Sequence, residues 1–167
     1  MKVSENGLSV AAPRSTLITD ARSDTPMASI HQEIVIDVPP EQLWSALQDV
    51  GALHTRVAVG FVADCRLEEG ARVVTFANGL VVRELIVDVD ATARRVAWAA
   101  VGGQLTHHNA SMQVFEEGPG RSRAVWIADL LPHAAAPTIA GMIAQGLAAM
   151  KATLEGAAKE SATRGSR

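Results

Sequence analysis

The chain has 167 residues, a formal net charge of −3 and a pI of about 5.9, with 48% hydrophobic and 20% charged residues. That is the balance of one soluble domain with a sizeable core. Its 15 cationic residues are scattered, 12 of them Arg, and there is no Tyr beside three Trp and three Phe. This excludes a basic face for a phosphate backbone and an aromatic platform for single-stranded nucleic acid.

Residues 1–27 are polar and Ser-, Thr-, Asp- and Ala-rich, with no strand alternation and no helical stripe. Such a segment buries too little to offset its ordering entropy, so it reads as a flexible tail, with a partner-docking arm as the alternative. It lacks the basic-then-apolar pattern of a secretory leader, and no apolar run approaches the length of about 18 residues that spans a bilayer. Cys65 stands alone and cannot form an internal disulfide. The expected location is the cytoplasm, whose reducing conditions suit a lone thiol.

Ser29–Val38 alternates, with Ile30, Ile34, Ile36 and Val38 on one side, and predicts a half-buried strand ended by Pro39-Pro40. Glu41–Leu47 reads as a short helix whose Leu43, Trp44 and Leu47 share an apolar face. Gly51–His54 begins a second short helix. Strand patterns follow at Val59–Leu67, Arg72–Phe76, Val81–Val89, Arg95–Val101, Leu105–Glu116 and Ser122–Leu131. Short turns separate them, among them the hairpin signal Asn78-Gly79, so the strands should form an antiparallel meander. From Pro137, an apolar stripe of Ile139, Met142, Ile143, Gly146, Leu147, Met150 and Leu154 predicts a long helix. Gly156 is its expected stop and residues 159–167 a frayed end, leaving one domain over 28–158.

This order is α+β. The long helix must bury its stripe, and a curved antiparallel sheet is the surface large enough to receive it. A curved sheet wrapped round a helix tends to enclose a cavity.

Four strings resemble the SRPBCC superfamily, also called START-like or helix-grip proteins, and within it the polyketide cyclase/dehydrase and lipid transport group. They are Ile34–Leu47 (IVIDVPPEQLWSAL), Gly79–Leu85 (GLVVREL), Gly120–Trp126 (GRSRAVW) and Gly146–Leu154 (GLAAMKATL). Together they span roughly residues 29–156. The resemblance implies a helix-grip fold: a seven-stranded sheet wrapped around the C-terminal helix, two short helices after the first strand, and a hydrophobic cavity for a small ligand. It does not imply one activity. Relatives often carry an aromatic and a proline after the second short helix. Here that stretch is His54–Val59, so no cavity-entrance residue carries over.

Strand alternation nominates the inward side chains. His108 shares a face with Ala110, Met112 and Val114. Trp126 lies with Ala124, Ala128 and Leu130, and Trp98 with Val96 and Ala100. Small residues beside Trp98 and Trp126 leave volume that larger side chains would fill. Arg72 and Glu84 flank the Asn78-Gly79 turn. A three-residue loop pairs them directly; a two-residue loop puts them on opposite faces. Paired and inward, they could anchor a ligand carboxylate or hydroxyl; otherwise they are a partly exposed cross-strand pair of little energetic consequence. The expected ligand-binding set is Arg72, Glu84, Trp98, His108, Met112, Trp126 and Met142. His107 and His108 face opposite sides and cannot chelate one ion, and no Cys or His stands at ligand spacing, so neither metal nor cofactor is expected.

Three functions fit. The first is binding of a small hydrophobic or amphipathic molecule, lipid-, sterol- or polyketide-like. The second is a cyclase/aromatase-type enzyme in the same cavity, with His108 as acid/base and Arg72 as a carbonyl-polarising cation. The third is a protein-interaction module with a filled core. The expected partner is a small hydrophobic molecule rather than nucleic acid or a membrane span. An antiparallel edge strand could pair with a second copy, so a homodimer stays open.

Overall fold

The computed structural model describes residues 27–165, so nearly all of the expected N-terminal tail lies outside the described residues. The elements run β1 (Ala28–Ile36), α1 (Pro40–Leu47), a π-helical turn (Leu53–Val57), β2 (Val62–Glu68), β3 (Ala71–Phe76), β4 (Val81–Asp90), β5 (Arg95–Val101), β6 (His107–Glu116), β7 (Ser122–Leu131), a 3-10 turn (His133–Ala135) and α2 (Ala136–Gly165). All seven strands form one antiparallel sheet in the order β1-β7-β6-β5-β4-β3-β2. Every neighbour except β1–β7 is consecutive in sequence, as short turns dictate. The curved sheet with its long C-terminal helix is the helix-grip architecture expected from the element order.

Ile30 and Ile36 of β1, Ala124, Ala128 and Leu130 of β7, and Ala110, Met112 and Val114 of β6 form the inner face of the sheet. Against it pack Leu43, Trp44 and Leu47 of α1 and Ile143, Leu147, Met150 and Leu154 of α2. Polar contacts fix how α2 lies on β1. Gln32 Nε2 donates to Ala140 O at 3.0 Å, Lys151 Nζ donates to Val35 O at 2.7 Å, and Glu155 Oε1 accepts from the Asp37 amide at 2.9 Å. Among the described residues no helix is long and apolar enough to cross a membrane.

Among the boundaries that differ from the sequence reading, three have a visible local cause. β1 ends at Ile36 because Val38 N–H turns back to Ile36 O at 2.9 Å. Val59–Phe61 is a turn rather than the start of a strand, since Gly60 takes φ +82°, a conformation no strand contains. Gly156 does not stop α2, which continues to Gly165 through the expected frayed end at 159–165. A terminating glycine needs positive φ, and Gly156 has none. Ala157, Ala158, Lys159 and Glu160 that follow are strong helix formers.

The sign of one substitution checks this last point. Nothing lies within 4 Å of a Cβ built on Gly156. Gly156→Ala should therefore raise stability by about 0.5–1 kcal/mol in urea denaturation. A loss of stability would mean that the helix ends there after all.

Candidate ligand cavity

Between the inner face of the sheet and α2 lies a cavity of about 720 Å³. Phe76, Glu84, Trp98 and Ala100 contribute from β3–β5, His108 and Trp126 from β6 and β7, and Ile139, Met142 and Ile143 from α2. A smaller void of about 80 Å³ lies beside it, against Leu47, Arg72, Val74, Met112 and Met150. Phe61, Phe76, Glu84, Trp98 and Trp126 border both spaces. The rings between them meet edge to face: Phe61 and Phe76 at 5.4 Å, Trp98 and Trp126 at 5.5 Å. Gly146 makes this packing feasible. A Cβ there would stand 3.2 Å from both Phe61 Cε1 and Trp126 Cζ3.

The loop closing β3 onto β4 has the three-residue form, with Phe76 N–H bonded to Leu80 O at 2.8 Å. Arg72 therefore stands directly opposite Glu84. Arg72 Nε donates to Glu84 Oε2 at 2.6 Å, and the two residues are only 3% and 8% exposed. Arg72 Nη1 also donates to Val50 O at 3.2 Å, and the guanidinium carbon sits 5.3 Å from the centre of the Trp98 ring. A carboxylate, a carbonyl and an aromatic face thus compensate the buried cation.

His108 is held from β5. Its Nδ1 accepts the Ala100 N–H at 3.1 Å, which assigns the ring proton to Nε2. Burial, and then the neighbouring His107, push the His108 pKa below its ordinary value. The ring is a neutral Nε2–H donor at neutral pH. Burial likewise pushes the Cys65 thiol up, so it is an inert core group, with Sγ donating to Val50 O at 3.5 Å. Among the described residues no cluster of His, Cys, Asp or Glu could hold a metal ion. The Trp126 indole Nε1 is buried without a hydrogen-bond partner among them.

Residues 27–155 match the family described as polyketide cyclase / dehydrase and lipid transport. The chain belongs to this family. Solved structures share the fold. A Bacillus thuringiensis protein superposes with a TM-score of 0.70 at 18% identity, over 76% of this chain and 98% of its own. The di-domain ARO/CYC BexL from the BE-7585A biosynthetic pathway gives 0.67 at 14% identity over 77% of this chain, and only 46% of BexL is covered. A START superfamily protein from Mycobacterium smegmatis gives 0.58 at 12% identity, over 79% and 97%. No curated protein matches.

In this member of the family, five residues expected from sequence meet on the large cavity: Glu84, Trp98, His108, Trp126 and Met142. Arg72 and Met112 line only the smaller void. Sequence reasoning missed Phe61, Phe76 and Ile139. Phe76 was within reach, since it shares the inward face of Arg72 and Val74, and Ile139 was already in the α2 stripe. Phe61 sits in the turn before β2, where alternation carries no information. A further concavity of about 410 Å³ lies on the outer face of the sheet, and its Arg123 is satisfied by Glu33 at 2.9 Å and Glu117 at 3.0 Å.

Two measurements test the electrostatics. Arg72→Met strands the Glu84 carboxylate and should cost about 3–5 kcal/mol, whereas adding Glu84→Leu should recover most of that loss. Additive losses in urea denaturation would contradict a coupled pair. For His108, the unfolded side chain titrates near ~6.5 and the folded one lower, so between those values the unfolded chain binds more protons. The stability contributed by the neutral ring is therefore present above about pH 6.5 and lost as the pH falls toward the folded pKa. Thermal melts of His108→Leu should depend less on pH than those of the wild type over that window.

Proposed function

We propose that the chain binds a small hydrophobic or amphipathic molecule between its sheet and α2. The observation that carries this reading is the cavity of about 720 Å³, which falls within the usual range of small-molecule sites, roughly 300–1,000 Å³, and is walled mostly by apolar and aromatic side chains. Trp98, Trp126, Ile139 and Met142 would supply apolar contact. Glu84 and His108 would orient the ligand. Family membership supports the same reading, and the lone buried thiol fits a cytoplasmic binding protein.

The cyclase-type reading finds less support. It needs Arg72 to polarise a substrate carbonyl, yet the guanidinium is committed to Glu84, Val50 and Trp98 and lines only the smaller void. The interaction-module reading expects a filled interior, and a cavity of this size weighs against it.

Filling the cavity from α2 tests the proposal. Nile red, a neutral hydrophobic fluorophore, should bind the wild type and gain fluorescence. Ile139→Trp and Met142→Trp project into the space from a helix whose buried anchors are elsewhere. Each should weaken Nile red binding at least about tenfold with an unchanged circular dichroism spectrum. Equal binding by both variants and the wild type would refute it. Native mass spectrometry of the purified protein, followed by extraction, would identify any ligand carried through purification.

A further inference from the structure

The cavity wall is unusual in its charge. Among the described residues Glu84 and His108 are the only ionisable side chains on it, and His108 is held neutral; no Lys or Arg among them lines it. Glu84 gives Oε2 to Arg72, while Oε1 has no partner among the described residues although the side chain is nine-tenths buried. The large cavity thus presents the carboxylate of the ion pair, and Arg72 is turned to the smaller void.

Glu84 and His108 also stand in one row across the sheet. Glu84 on β4 pairs with Ala100 on β5, and the Ala100 N–H bonds the His108 ring on β6. The residue between them is alanine, so only a methyl group stands beside Glu84 on that side of the inner face, and the His108 ring, with Nδ1 turned to the Ala100 N–H, directs its Nε2–H away from β5. Where the chain enters α2, beside the same cavity, three successive residues offer no free amide. The Ala135 and Ala136 amides are bonded to Pro132 O and His133 O, and Pro137 has no N–H.

We infer that the ligand is uncharged and carries a hydroxyl at its polar end that donates to Glu84, and that the cavity discriminates against carboxylates. This rests on the binding function proposed above. A hydroxyl supplies the donor that Glu84 Oε1 lacks. A carboxylate offers no donor to Glu84 and sets a second negative charge near the first, with no cation among the described residues on the cavity wall to offset it.

The test uses 2-naphthol and 2-naphthoate, which share one ring system and at about pH 7.5 are neutral and ionised respectively. Each is titrated against the wild-type protein loaded with Nile red. Naphthol should displace the dye at least about tenfold more effectively than naphthoate. Glu84→Gln removes the negative charge and leaves the Arg72 cation unopposed, so it should erase or reverse that preference. Equal displacement by the two compounds from wild type overturns this inference and leaves cavity binding standing. Absence of Nile red binding overturns the binding function and this inference with it. Where Glu84→Gln does not fold, 2-methoxynaphthalene, neutral but without a donor, decides on the wild type: displacement equal to that of naphthol overturns this inference.

Discussion

Arg72 and Glu84 meet at 2.6 Å across the β3–β4 hairpin, with little of either side chain in contact with water. Burying two charges is costly, and the cost is tolerated only where geometry and additional hydrogen bonds compensate each ion. The three-residue loop supplies the register, Val50 O supplies a second acceptor, and Trp98 supplies an aromatic face. A shift of one residue in the hairpin would send one partner to the outer face and leave the other buried alone. The ion pair therefore locks the register that places Phe76 and Glu84 on the cavity.

The cavity exists because small residues stand where large ones would close it. Ala100 separates Glu84 from His108, and Gly146 lets α2 approach the rings of Phe61 and Trp126. The aromatics pack on one another rather than filling the space above them, so the scarcity of large rings in the sequence becomes volume in the fold. The α2 stripe divides accordingly. Ile143, Leu147, Met150 and Leu154 are buried in packed core, while Ile139 and Met142, nearer the start of the helix, stay partly uncovered because they face the open chamber.

Much of this was legible beforehand, and the reasons are local. Period-two alternation located β5, β6 and β7 almost to the residue, and it placed His108, Trp98 and Trp126 on the inner face before any coordinates. It failed at Val59–Phe61, where a positive-φ glycine interrupts an apolar run that reads like a strand. It failed again at Gly156, where glycine composition suggested a stop but the following residues favour helix strongly enough to continue. Phe61 was invisible because a turn has no period.

The residues alone determine which side chains share a face, because alternation along a strand and the repeat of a helix are properties of the backbone. They also determine the family, through the strand-proline-helix string at 34–47 and its companions. Which faces meet is a different matter. Whether Arg72 reaches Glu84 depends on one residue of loop length. Whether that pair then shows its cation or its carboxylate to the cavity depends on how β2–β4 wrap toward Trp98 and Val50. Only the tertiary structure decides these, because they arise from packing between segments far apart in the chain, and it turns an anticipated cationic anchor into an anionic wall.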